Sequence, residues 1–78
     1  MAAALQMDET VLVIYVVRRD VYVDGELYGY TNVPFTVETG THTFDLGEPV
    51  TYLPTEITVT VADTLPHVPM VIKFEAEL

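Results

Sequence analysis

The stretch Val21-Tyr22-Val23-Asp24-Gly25, continued by Glu26-Leu27-Tyr28, reads as a strand, a two-residue turn and a returning strand. Asp-Gly suits a type I′ turn, because both central residues need positive φ and glycine adopts it without steric penalty. Such a turn pairs Val23 with Glu26, Tyr22 with Leu27 and Val21 with Tyr28. Working outward, Pro34-Phe35-Thr36-Val37 is a further strand, Thr39-Gly40 a second turn, and His42 to Leu46 the strand that follows it. Branched and aromatic side chains dominate these segments and suit a pleated surface.

Later in the chain the alternation is clean. Ile57, Val59 and Val61 point one way while Glu56, Thr58 and Thr60 point the other. Met70, Ile72, Phe74 and Ala76 alternate likewise with Val71, Lys73 and Glu75. One face on a core and one face wet is the pattern of an antiparallel sheet. Gly47 to Pro54 and Asp63 to Pro69 read as loops, the first a crossover between sheets. No stretch carries a helical period. The expected fold is all-β, a small antiparallel β-sandwich of about 6–7 short strands. Residues 1–9 form a flexible N-terminal arm and residues 10–78 the sandwich domain.

Seventy-eight residues hold one small core, and half of them are apolar. The chain has no cysteine, so disulfides do not staple it, and subunit contact is the remaining stabiliser for a domain this small. Twelve acidic against three basic residues give a net charge of −9. That balance speaks against nucleic acid as a partner, which needs clustered Lys and Arg, and Arg18-Arg19 alone are not a patch. No run approaches the roughly 18–20 apolar residues that span a bilayer, so membrane insertion is not expected. Met1 to Leu5 has no basic n-region and does not read as a signal peptide. On this reading the chain is cytoplasmic or part of a virion, or surface-exposed if it is a piece of a longer secreted protein.

The residues also resemble a PEGA domain, a small β-sandwich surface or adhesion module. Val21 to Gly25 match that family's Val-Tyr-Val-Asp-Gly-like hairpin, Gly29-x-Thr31 its next step, and Gly40-Thr41-His42 its Gly-x-His strand start. The likeness spans about residues 11 to 76. The namesake Pro-Glu-Gly-Ala is replaced by Val16-Val17-Arg18-Arg19, and Asn32-Val33 separate Thr31 from Pro34. The resemblance implies a surface or adhesion role and supplies no catalytic residues.

Chemistry is sparse. With no Ser and no Cys the commonest nucleophiles are missing, and two His with one Lys leave few acid–base options. His42 is read as a sandwich-edge residue bonded to backbone, and His67 has no second His at zinc-ligand spacing. Asp24-Gly25-Glu26 falls short of a calcium ligand set. No enzyme, metal or cofactor is expected.

The anomaly is Val11-Leu12-Val13-Ile14-Tyr15-Val16-Val17, seven apolar residues where a two-layer strand should alternate. Aligned to the PEGA pattern, Val11, Val13 and Tyr15 take the core-facing positions, so the resemblance implies that Leu12, Ile14 and Val16 are left for a partner, as are Tyr22 and Leu27 on the hairpin. A surplus apolar face of this kind marks a contact site, for a partner or, alternatively, for the N-terminal arm or a loop of the same chain. The expected role is a non-enzymatic structural or assembly module, a homo-oligomer or a piece of a larger protein assembly of virion-decoration or surface-lattice type. Two alternatives stay open. Tyr22, Tyr28 and Tyr30, with Tyr52 beside them, offer flat faces for stacking carbohydrate, as in an adhesion module. An acidic inhibitor occupying a nucleic-acid-binding site is the other.

Overall fold

The computed structural model describes residues 8–77 and contains nine strands: β1 (Asp8–Ile14), β2 (Asp20–Val23), β3 (Glu26–Tyr30), β4 (Phe35–Glu38), β5 (Gly40–Asp45), β6 (Tyr52–Leu53), β7 (Ile57–Val61), β8 (Met70–Lys73) and β9 (Glu75–Ala76). They form a three-stranded sheet in the order β4-β1-β8, a four-stranded sheet β3-β2-β5-β7, and a short ladder of β6 with β9. The all-β sandwich is as the alternation predicts, with more and shorter strands. β1 starts at Asp8, so Asp8 and Glu9 belong to the sheet rather than to the arm. The remainder of that arm, residues 1–7, lies outside the described residues.

Asp24 (φ 53°) and Gly25 (φ 89°) both take positive φ, as the Asp-Gly turn requires. Val23 pairs with Glu26 and Tyr22 with Leu27, but Val21 pairs with Gly29 rather than with Tyr28. Tyr28 is the extra residue of a β-bulge. The shift sets the small Gly29 against the Phe35 ring, where a Cβ would come within 2.8 Å of Cδ2.

Thr39-Gly40 is not a hairpin turn. β4 pairs with β1 and β5 with β2 and β7, so the chain changes sheets there, with Gly40 at φ 140°. The ladder is also not wholly antiparallel: β8 runs parallel to β1, Val11 opposite Met70 and Ile14 opposite Lys73.

Between the sheets lies one apolar core of Val11, Val13, Tyr15, Val21, Val23, Val37, Phe44, Leu46, Tyr52, Val61, Ile72 and Phe74. Tyr52 stands edge-on to Tyr15 and to Phe74, with ring centroids 6.3 and 5.5 Å away. Its hydroxyl accepts from the Leu46 N–H and donates to the Gly47 carbonyl. Tyr52 is therefore a core residue and no part of a stacking surface.

The segment after β5 is not a crossover between the two main sheets: it carries β6 and returns to pair with β5 as β7. Arg19 organises this loop. Its guanidinium donates to the carbonyls of Leu46, Gly47 and Pro49 and to Thr51 Oγ1, and it lies 5.2 Å from the Tyr52 ring centroid. Bonds from a charged donor are the stronger kind. On the outside of the second sheet, Thr41 bonds Thr60 and Thr43 bonds Thr58, each at 2.8 Å, tying β5 to β7.

Because Phe74 is buried under Tyr52 where β8 passes into β9, Phe74→Ala is expected to cost about 3–5 kcal/mol. Urea unfolding should show the midpoint falling steeply, while Val71→Ala on the exposed side of the same strand should leave it nearly unchanged.

Candidate functional site: the outer face of the β1 sheet

β1 alternates between two environments. Glu9, Val11 and Val13 point into the sandwich and are buried, whereas Leu12 and Ile14 face outward and are half-buried. Strand register decides what stands beside them. On one side β4 places Thr36 opposite Thr10 and Glu38 opposite Asp8. On the other, β8 places Val71 opposite Leu12 and Lys73 opposite Ile14. Residues directly opposite share a face. Leu12, Ile14 and Val71 therefore form a continuous outward apolar strip, with Val71 56% exposed.

The strip runs on past the end of β1. Val16 is 72% exposed, and with Ile14, Lys73, Phe74 and Glu75 it lines a shallow groove of about 350 Å³. The groove forms where β8 leaves β1 and becomes β9, with the Phe74 N–H donating to the Ile14 carbonyl at the junction. Sequence reasoning singled out Leu12, Ile14 and Val16 but missed Val71 and Lys73. Their alternation within β8 was visible, but their place beside β1 depends on a parallel pairing between distant segments.

Tyr22 and Leu27 do not join this face. They pair with each other on the outer side of the other sheet, so the five residues named as partner contacts are divided between two faces. The Tyr22 ring packs on Gly47, whose Cβ position lies 2.7 Å from Cε1, while Leu27 is exposed. Nor do the tyrosines form a bare platform. The Arg18 guanidinium sits 4.3 Å from the centroid of the exposed Tyr30 ring, and Tyr28 occupies the bulge.

Two carboxylates are tightly held. Buried Glu9 accepts from the hydroxyls of Thr39 and Thr64 and from the Thr64 N–H. The Thr39 bond first, then those from Thr64, hold its carboxyl below the usual 4.5. At the hairpin tip, Asp24 accepts from His42 Nδ1 at 2.7 Å and from the Thr43 N–H at 2.9 Å. His42 Nε2 meets the Glu38 carbonyl, also at 2.7 Å. A carboxylate and a carbonyl are both acceptors, so the ring must supply two N–H donors, which only imidazolium has. The Asp24 bond raises the His42 pKa above 6.5, helped by the Glu38 carbonyl and the charges of Asp24 and Glu38. The same bond lowers that of Asp24 below 3.8. This joins the hairpin to the β4–β5 corner, and the backbone bond expected of His42 is present with a carboxylate added.

Among the described residues no three His, Asp or Glu side chains converge as metal ligands, and no helix is long and apolar enough to cross a membrane. No family model, curated protein or solved structure matches the chain.

The contribution of Glu9 is present above its unfolded value of 4.5 and is lost as pH falls through its lower folded value. His42 contributes below 6.5 and loses that contribution as pH rises through its raised folded value. Melting temperature should therefore be highest between these limits and fall on both sides. In His42→Gln the alkaline-side decline should flatten, and in Glu9→Gln the acid-side decline, both read by thermal melts across pH.

Proposed function

We propose that this chain is a structural or assembly module that works by contact rather than catalysis, using the outer face of the β4-β1-β8 sheet. The observation that carries this reading is the central strand of that sheet, apolar on its outward as well as its inward side, with exposed Val71 alongside and exposed Val16 at its end. Fully removing such side chains from water contributes at most about 1.5–3 kcal/mol each before association costs. Leu12 and Ile14, already half-buried, supply only part of that range. Even a few kcal/mol is a large share of the stability of a domain this size.

A PEGA-type surface module is compatible with the hairpin at Asp24-Gly25 and the strand start at Gly40-Thr41-His42. A lattice or virion-decoration setting would use the same face. The carbohydrate reading draws less support, since Tyr22 and Tyr30 already pack against Gly47 and Arg18. An inhibitor of a nucleic-acid-binding protein draws little, because the acids are spread over both sheets.

Leu12→Glu with Ile14→Glu alters only outward positions and should leave the circular dichroism of the fold intact. Light scattering after size exclusion should show the wild-type chain as a dimer or larger species, or bound to its partner, and the double variant as a free monomer. An assembly indifferent to both substitutions would refute the use of this face.

A further inference from the structure

Resting on that reading, we infer that the occupant of the face is a second copy of this chain, laid antiparallel across it about a two-fold axis. The charges on the face are polarised. At one end Asp8 stands directly opposite Glu38; at the other Lys73 stands opposite Ile14, with Glu75 further along the groove. Like charges directly opposite destabilise a sheet pair unless a cation comes between them. Among the described residues neither the Asp8 carboxylate nor Lys73 is in an ion pair, and Glu38 has only the Coulombic proximity of His42.

Asp8 and the Lys73 level are separated by six residue steps, about 20 Å along an extended strand. A two-fold axis across the strands at the level of Val11 brings the basic end of the face in one copy to the acidic end in the other. β1 of one copy then lies on β1 of the other and β8 on β8. Lys73 of each copy thus comes to the level of Asp8 of the other, about 5 Å (one strand spacing) to its side and within reach of a lysine, and Leu12 falls on the methyl of Thr10. Such a self-complementary patch is what a two-fold interface demands.

The rest of the surface favours this face over others. Arg19 is engaged with the carbonyls of the loop after β5 and Arg18 with Tyr30, which leaves Lys73 as the basic side chain free to meet an acid among the described residues. Two chains of net charge −9 repel in most orientations. The antiparallel arrangement is one in which opposite charges meet at both ends.

The test is a charge exchange on the full chain, followed by sedimentation velocity. Lys73→Glu alone and Asp8→Lys with Glu38→Lys alone should each weaken the dimer at least about tenfold, each setting like charges against like. An equimolar mixture of the two variants should restore a dimer, because both contacts are again attractive. As a second measurement, carbodiimide treatment of the wild-type dimer should join Lys73 Nζ to the Asp8 carboxylate of the other copy as an amide, the carbodiimide taking up the elements of water and leaving as its urea. Since the chain has a single lysine, peptide mapping of the dimer band identifies the bond. A wild-type chain that is monomeric at every concentration overturns the inference. So does a dimer that Leu12→Glu with Ile14→Glu dissociates but the mixture fails to rebuild; in that case the assembly reading stands and only the antiparallel arrangement falls.

Discussion

β1 depends on both its edges being satisfied, and the rest of the molecule is arranged around that requirement. Its first half pairs antiparallel with β4 and its second half parallel with β8. Where β4 ends, Asn32 takes over the vacated edge: its N–H donates to the Val13 carbonyl at 2.7 Å and its side-chain carbonyl accepts from the Tyr15 N–H. At the opposite corner the Thr10 N–H donates to Thr64 Oγ1. A buried strand with orphaned backbone groups is costly, so these loop residues are as necessary to the core as Val11 and Val13 themselves.

Polar side chains do much of the fastening in a chain with so small an apolar interior. Thr31 is buried, accepts from the Arg19 N–H and donates to the Val17 carbonyl, closing the bend between β1 and β2. That bend positions Arg19 over the carbonyls of the 46–51 loop. Glu9 links β1 to the β4–β5 corner through Thr39 and to the 62–69 loop through Thr64. Among the described residues no buried side-chain polar atom lacks a partner.

Local chemistry was legible in the sequence wherever the deciding residues are neighbours. Asp24-Gly25 requires its turn, and the strict alternation at Ile57–Val61 and Met70–Lys73 shows which side is dry. What was not legible depends on residues far apart. The bulge at Tyr28 follows from the fit of Gly29 against Phe35, and Thr39-Gly40 turns the chain between sheets because Glu9 and Val37 both belong to the β1 edge. Glu9 looked like part of a flexible arm because its acceptors are satisfied from residues 30 and 55 positions away. The apolar run Val11–Val17 announced a surplus face, but only the parallel β1–β8 register shows that Val71 widens it and Lys73 ends it.

That same register has a mechanical meaning. β1 and β8 run side by side in the same direction, so tension on the chain beyond them drags the two strands lengthwise past one another. The hydrogen bonds between them then bear the load together instead of peeling open in sequence, a geometry that resists rupture. A small body threaded into a larger array under strain would be held shut by the seam between its first strand and its eighth.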